Sequence, residues 1–503
     1  LEFNQTKETG VTEIYTQDKL YIRGQWVAPI DGEQNESIDP STGKVWARVA
    51  FAGVRDIDSA VSAAQEALAG PWSRWSPAQR AALLRRIGAL FEAHAERLAE
   101  LESRDNGMLL RDALANIRVQ AQYYYYFAGM ADKLEGRTIP IEDGMLAYTT
   151  RVPVGVVGAI VPWNVPLLTM TWKLAPALAA GCTVVVKTAE QTPVSAYEFA
   201  RLLETCDVPP GVINIVSGIG PTVGARLVAH PGVSKISFTG EHRTAQEIMR
   251  TGAVNLKRYS FECGGKSPHI IFDDADLAHA INAATHSSFA VCGQSCALGS
   301  RLLVQRSVYT QVAEELARRA GRIRVGMPKD AAAQMGPQAH AEQLSKTLRY
   351  IDIAKGEGAT LLAGGARISE GDLGAGYFVA PTVFANVDNK MRVAREEIFG
   401  PVVSVIPFDD EEEAIAIAND TDYGLTAGLW SQNIGRAHRV ASRIQAGTVW
   451  INTYRYIRWA IPYGGFKMSG LGRENGMEAV DAYLQTRSTV VNLTGNYPDM
   501  YAN

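Results

Sequence analysis

The chain has 503 residues, 47% hydrophobic and 20% charged, an ordinary globular composition that at roughly 100–200 residues per domain suggests two to four domains. Its formal net charge is −4, from 49 basic and 53 acidic residues, and no basic block stands out, which argues against nucleic acid as a partner. The cysteines Cys182, Cys206, Cys263, Cys292 and Cys296 are odd in number, form no Cys-x-x-Cys and have no zinc spacing, so neither a disulfide framework nor a metal is expected, and the compartment reads as reducing and cytoplasmic.

The chain opens on Leu-Glu-Phe, without Met, which reads as a vector remnant with no secretory signal. Residues 56–105 read as helical. Ser76 is a candidate N-cap with Pro77 at the first helical position, Leu83, Leu84, Ile87, Leu90, Phe91, Leu98 and Leu101 recur at helical spacing, and Gly107 is a stop. This is packing without chemistry. The stretch VPVGVVGAIVPWNVPLLTM (152–170) carries no charge and is about as long as a membrane span. However, Pro153, Pro162, Pro166, Gly155, Gly158 and Asn164 interrupt it, so a buried strand followed by a special loop is expected, with no membrane association.

From 155 to 265, β-branched runs (155–161, 183–188, 211–218, 233–240) alternate with helical stretches. That is the pattern of βαβ units on a parallel sheet, and the texture of a nucleotide-binding domain. From 266 to 478 a second α/β alternation follows, with strands at 300–305, 401–408 and 447–452. The tail STVVNL (488–493) is a lone strand of the kind that pairs with another element or another subunit.

Several stretches carry candidate chemistry. GIGPTVG (218–224) and SFTG (237–240) each follow a strand and open a helix. They read either as turns needing positive φ or as a pair of helix N-termini favouring phosphate. Lys187 and Glu190 lie just past a strand's carboxyl end, where parallel sheets bind ligands. A carboxylate there accepts hydrogen bonds from a ribose diol and repels a 2′-phosphate; the alternative is a surface ion pair. Glu262, flanked by Phe261 and Cys263, has the apolar setting that raises a carboxyl pKa and suits a general base, or is structural. Cys292 and Cys296, four apart, would share a face on a helix; each is either a reactive thiolate or an inert buried thiol.

PWNVP (162–166), VKTAEQTP (186–193), FTG (238–240), FECGGKSP (261–268), GQSCALGSR (293–301), EEIFGPVV (396–403) and PYGGFKMSGLGRENG (462–476), taken in order over essentially the whole chain, resemble the aldehyde dehydrogenase superfamily, in its NAD(P)-dependent, non-acylating form. The resemblance implies an α/β fold. A Rossmann-like NAD domain would comprise 1–135 and 155–265, an α/β catalytic domain 266–478, and a small β oligomerisation element 136–154 and 479–503. It implies a homodimer or homotetramer in which the tail strand joins a neighbour's sheet. Cys296 is then the nucleophile and Cys292 a packing residue. Glu262 is the general base, the Asn164 amide and the Cys296 backbone N–H hold the oxyanion, and Lys173 and Glu474 relay protons. The implied cofactor is NAD, preferred to NADP because of Glu190. Lys187 and Glu190 would meet the adenosine ribose, and Gly220 and Gly224 the adenine side. Glu397 and Phe399 would meet the nicotinamide ribose and ring, and Trp163 would back the cofactor. Ile160, Pro162, Phe238, Thr239, Gly240, Glu241 and Cys263 would complete its surround. The substrate is a small-molecule aldehyde.

Three residues depart from the family pattern. Glu241 stands where Ser is frequent and is expected to turn outward or be paired; Thr188 replaces a frequent proline; Leu298 stands where small residues are usual and is expected to narrow or reshape the site. The implied substrate wall is Val165, Leu168, Thr169, Trp172, Ser295, Ala297, Ile457 and Tyr463, with Arg455 and Arg458 from the aromatic loop 453–463. Arginine suits bidentate carboxylate binding, which points to a carboxylated semialdehyde or another medium-sized polar aldehyde; the alternative is that both arginines serve subunit contacts. The run YYYYF (123–127) reaches the entrance in part and otherwise packs. Rival readings are a CoA-acylating dehydrogenase, disfavoured by Glu262, and a Cys–His hydrolase using His269 or His286, which no motif supports. A silent binding protein is disfavoured by Cys296, Glu262 and Asn164 together.

Overall fold

The structure, a computed structural model, describes residues 14–501, so the opening stretch read as a vector remnant lies outside the described residues. The helical stretch at 56–105 resolves into three helices, Val54–Ala69, Pro77–Ala93 and Ala95–Asn106. Ser76 caps the second reciprocally: its Oγ accepts from Gln79 N at 3.3 Å, and Gln79 Oε1 accepts from Ser76 N at 2.8 Å, satisfying two donors left over at the helix start. Gly107, at φ 79°, ends the third in the left-handed conformation that glycine adopts without a Cβ penalty. A further helix, Leu110–Met130, carries the tyrosine run, burying Tyr123, Tyr124 and Phe127.

The first large sheet has eight strands. Its five central strands are parallel, in the order Arg258–Glu262, Lys235–Thr239, Val156–Ile160, Thr183–Lys187, Ile213–Val216. Most of their residues are buried, because helices cover both faces of such a sheet. The apolar segment at 152–170 divides as its prolines dictate. Strand Val156–Ile160 ends before Pro162, and Pro166 opens the helix Pro166–Ala180, buried throughout except at Leu168. No helix among the described residues is long and apolar enough to cross a membrane.

The second large sheet has seven strands, in the order Thr360–Ala363, Thr382–Ala385, Val402–Phe408, Arg301–Gln305, Pro268–Ile271, Thr426–Trp430, Thr448–Ile451, all parallel except the first. One short strand crosses between the halves: Gly470–Leu471 pairs antiparallel with Arg258–Glu262, placing Gly470 opposite Glu262. Nearby, Tyr463 and Glu474 exchange backbone hydrogen bonds at 2.7 Å in each direction. The segment 463–474 is therefore stitched into the edge of the first sheet.

The tail strand Leu484–Asn492 pairs antiparallel with Met145–Pro153 of its own chain, from Leu484 opposite Pro153 to Asn492 opposite Met145. Thr138–Ile139 lies on the far side of that partner, leaving the tail strand at the edge of a three-stranded sheet. Within its own chain the tail strand thus has a partner on one side.

Candidate active site

The stretch around the two cysteines is not the helix that would align them. Ala290–Gly293 is a tight turn in which Val291 (φ 53°) and Cys292 (φ 58°) are left-handed, and Cys296 lies beyond it in a second turn. The thiols therefore part company. Cys292 is buried in an apolar cluster with Phe289, Leu302 and Met335, and burial pushes its thiol up to about 12. Cys296 is the only one of the five cysteines that is not fully buried. Burial also pushes its thiol up, to about 11; Glu262 and Glu397 add to the rise, while a Tyr463 hydrogen bond and the Arg455 charge oppose it.

Asn164 lies on the loop between strand Val156–Ile160 and helix Pro166–Ala180. Its Nδ2 donates to Gln294 O at 2.9 Å, and its own carbonyl accepts from Asn106 Nδ2 at 3.0 Å. The amide is thereby aimed at the turn that carries Cys296. Glu262 ends its strand, is 4% exposed, and has an Oε2 that is buried without a partner. Burial, then the neighbouring Glu474, hold its carboxyl well above the usual range, against the opposing charges of Lys173 and Arg473. Lys173 and Glu474 form a buried ion pair at 2.8 Å, with side chains 0% and 1% exposed. Lys173 Nζ also donates to Thr239 Oγ1 at 2.8 Å.

Asn164, Glu262, Cys296, Cys263, Glu397 and Phe399 line one cavity of about 240 Å³. A longer crevice of about 880 Å³, along the carboxyl ends of the parallel strands, is lined by Ile160, Lys187, Glu190, Gly220, Gly224 and Phe238. Pro162, Trp163, Thr239, Gly240 and Glu241 belong to both walls, so the two spaces meet. In the crevice, Glu190 Oε1 lies 3.0 Å from Lys187 Nζ and accepts from Gly220 N. Neither Gly220 nor Gly224 is at positive φ. A Cβ on Gly224 would meet open space, while one on Gly220 would come within 3.3 Å of Glu190 Oε1. The glycines thus serve close approach and an open wall, not a left-handed turn. On the wall of the Cys296 cavity, Glu397 Oε1 accepts from Gly265 N at 3.0 Å, and a Cβ on Gly264 would run into the same carboxylate. Phe399, left-handed at φ 62°, sets its ring edge-on to Trp163 at 5.3 Å. Glu241, on both walls, is 53% exposed with Arg243 at 3.8 Å.

A sequence profile described as the aldehyde dehydrogenase family matches residues 26–489. The chain belongs to the aldehyde dehydrogenase family. It is 43% identical over 484 residues to an aldehyde dehydrogenase of Emericella nidulans, covering 96% of this chain and 97% of that protein. Among solved structures, the NAD+ complex of an aldehyde dehydrogenase from Bacillus cereus superposes with a TM-score of 0.93 at 45% identity, covering 95% of this chain and 96% of that one. Betaine aldehyde dehydrogenase from Staphylococcus aureus, also solved with NAD+, superposes with a TM-score of 0.95 at 39% identity, covering 97% of each chain.

The wall facing Cys296 in this aldehyde dehydrogenase family member is aromatic. Val165, Thr169, Trp172 and Tyr463 line the cavity, and Leu168 and Ile457 pack with Tyr123, Trp459, Leu425 and Cys296 in one apolar cluster. Tyr123 and Trp459 come from the aromatic runs 123–127 and 453–463. Two expected wall residues go elsewhere. Ala297 is buried against Trp450 and Tyr454, and Ser295 lines a small separate crevice with Leu298, Glu397 and Phe399. Leu298 is buried and lines that crevice, not the Cys296 cavity. His269 stacks on Tyr454 at 4.7 Å and contacts Ser287 Oγ at 2.9 Å, and His286 is exposed. Neither hydrogen-bonds Cys296.

The structure also separates the two loop arginines. Arg458 Nη1 donates to Ile457 O at 2.7 Å, and its guanidinium lies 4.3 Å from the Tyr456 ring centre, so it is engaged locally. Arg455 sits at φ 59°, and its Nη1 is buried without a hydrogen-bond partner. Burial lowers its pKa from the ordinary arginine range, and the titratable groups coupled to it are Cys296, Tyr463, Tyr454 and Asp112.

Proposed function

We propose that the protein oxidises an aldehyde to a carboxylic acid with NAD, through covalent intermediates on Cys296. The observation that carries this reading is the grouping of Cys296, the Asn164 amide and the unpartnered Glu262 carboxyl on one cavity that opens into a long crevice. The Cys296 thiolate attacks the carbonyl carbon. The oxyanion is held by Asn164 Nδ2 and the Cys296 backbone N–H, and each such donor is worth about 10²–10³ in rate. The bound NAD supplies the hydride acceptor. Glu262 takes a proton from the water that attacks the thioester carbon, and Cys296 leaves as the thiolate while the acid departs. Glu474 and Lys173 lie along the buried route for that proton, ending at Thr239 on the crevice wall.

The crevice fits a dinucleotide. It lies at the carboxyl ends of parallel strands, its glycine wall at Gly224 is open, and Glu190 is placed to bond a ribose diol. The relatives from Bacillus cereus and Staphylococcus aureus are solved with NAD+, which supports the same cofactor here. In Glu190→Ala, kcat/KM with NAD should fall about tenfold, the loss of one hydrogen bond to a charged group. That with NADP should rise, because Lys187 is freed and the repulsion of a 2′-phosphate is gone. Steady-state rates with both cofactors check this; an unchanged NADP rate counts against the assignment.

The substrate reading is a medium-sized polar aldehyde, with a carboxylate recognised by Arg455. The test is NADH formation across aliphatic, aromatic and carboxylated aldehydes. Arg455→Ala should raise KM for carboxylated aldehydes about 10–100-fold, the range for a charged hydrogen bond, and leave neutral ones unchanged. Arg458→Ala should alter neither. Equal KM changes for both classes would leave Arg455 as packing or a subunit contact. A homodimer or homotetramer in the cytoplasm completes the reading. The two large sheets support a division into cofactor and catalytic parts, and the three-stranded sheet of the tail supports an oligomerisation element. The tail strand's uncovered outer edge is where a neighbour would join.

A further inference from the structure

The Cys296 sulfur has one polar side-chain neighbour within hydrogen-bond reach, the Tyr463 hydroxyl at 3.4 Å. The other groups whose charges act on it are Glu262 at its strand end, Glu397 on the loop before strand Val402–Phe408, and Arg455 on the loop that precedes Tyr463. The two carboxylates oppose a thiolate and Arg455 favours it from a distance. Among the described residues, only Tyr463 hydrogen-bonds the sulfur.

Tyr463 is held in place from several sides. It is 2% exposed, and its ring packs on Trp172 at 5.4 Å between centroids. Its backbone N–H and C=O both pair with Glu474, and the same segment runs on to Gly470–Leu471, stitched beside Glu262. A hydroxyl fixed this firmly keeps its aim through a reaction cycle, as a preorganised donor must.

We propose that the Tyr463 hydroxyl is a catalytic hydrogen-bond donor to the Cys296 thiolate, stabilising and aiming the nucleophile before substrate arrives. The proposal rests on Cys296 being the nucleophile. When the S–H bond breaks, its proton passes to water or to the Glu262 carboxylate, and the sulfur keeps the electron pair. Tyr463 keeps its own proton and turns it toward the sulfur. Burial holds the phenol well above the usual tyrosine range, so it stays a donor and does not become a second anion. As the C–S bond forms, the charge moves to the carbonyl oxygen and the Asn164 amide. The sulfur becomes a poor acceptor, and the Tyr463 bond is released.

The test is the pH dependence of Cys296 alkylation by iodoacetamide, with the labelled residue identified by mass spectrometry, in wild type and Tyr463→Phe. The substitution removes one oxygen and keeps the ring that packs on Trp172, so a purely structural role leaves the pH midpoint where it is. A donor role moves the midpoint up by about one pH unit, the worth of a hydrogen bond to a charged group. At neutral pH the alkylation rate then falls about tenfold, and the high-pH plateau is retained. Coincident midpoints overturn the inference and leave Cys296 as nucleophile. Labelling of another cysteine in wild type, with Cys296 untouched, overturns both.

Discussion

Cys296→Ala abolishes NADH formation from every aldehyde, by about 10⁴-fold or more, while Cys292→Ala retains it: this is the first expected result. Loss of a covalent nucleophile removes the intermediate itself and not one stabilising contact, so its cost exceeds that of any other single change. The two thiols make a sharp comparison because they sit in one short stretch and differ in everything that governs reactivity. Cys296 faces a cavity with an amide, a phenol and a carboxyl around it. Cys292 faces Phe289, Leu302 and Met335, with no charged group to activate it. Its replacement by alanine removes one buried sulfur, which affects stability modestly. Initial rates of NADH absorbance on both variants, with thermal melts to confirm folding, check the pair. Equal loss in both would mean that the turn, not the thiol, had been tested.

Glu262→Gln should separate the two halves of the reaction. If the carboxylate serves only as base for thioester hydrolysis, acylation still proceeds. NADH then appears in a burst of about one equivalent per active site, followed by a steady rate lower by about 10²–10⁴, the usual worth of general base catalysis. The sign of the pH effect follows from its setting. The folded carboxyl titrates well above its ordinary value, so the base form is scarce at low pH. Wild-type steady-state turnover therefore climbs as pH rises toward that raised pKa, and the variant loses this limb. Rapid-mixing absorbance at several pH values checks both points. Absence of a burst would assign Glu262 to the activation of Cys296 as well.

The parts of this site that were legible in the sequence are those in which the chemistry and its local geometry travel together. Pro166 fixes a helix start, so Asn164 just before it falls at a strand–helix loop. Glu262 is flanked by Phe261 and Cys263, an apolar setting that fits its place at the buried end of a strand. What was not legible depends on direction. Four-residue spacing aligns Cys292 and Cys296 only on a helix, and nothing but the tertiary fold forces Val291 and Cys292 into left-handed backbone at non-glycine positions. Ala297 and Ser295 flank the nucleophile in sequence, yet backbone geometry sends neither side chain into its cavity. Arg455 and Arg458 are the same residue type in one loop; only the acceptor at Ile457 O and the Tyr456 ring tell the engaged cation from the unpartnered one. The tail strand's partner at 145–153 lies more than three hundred residues away along the chain, beyond any periodicity.

The short segment from Tyr463 to Glu474 holds the phenol at the sulfur, the acid of the Lys173 pair and the strand beside Glu262, all on one hairpin. These groups share a backbone support, so they do not contribute independently. A lesion in any one shifts the footing of the other two, and double-mutant cycles among them will return large interaction energies where separate sites would simply add. The unit on which such enzymes can vary is then the hairpin as a whole, and a rate attributed to any single residue of it measures the coupling as much as the residue.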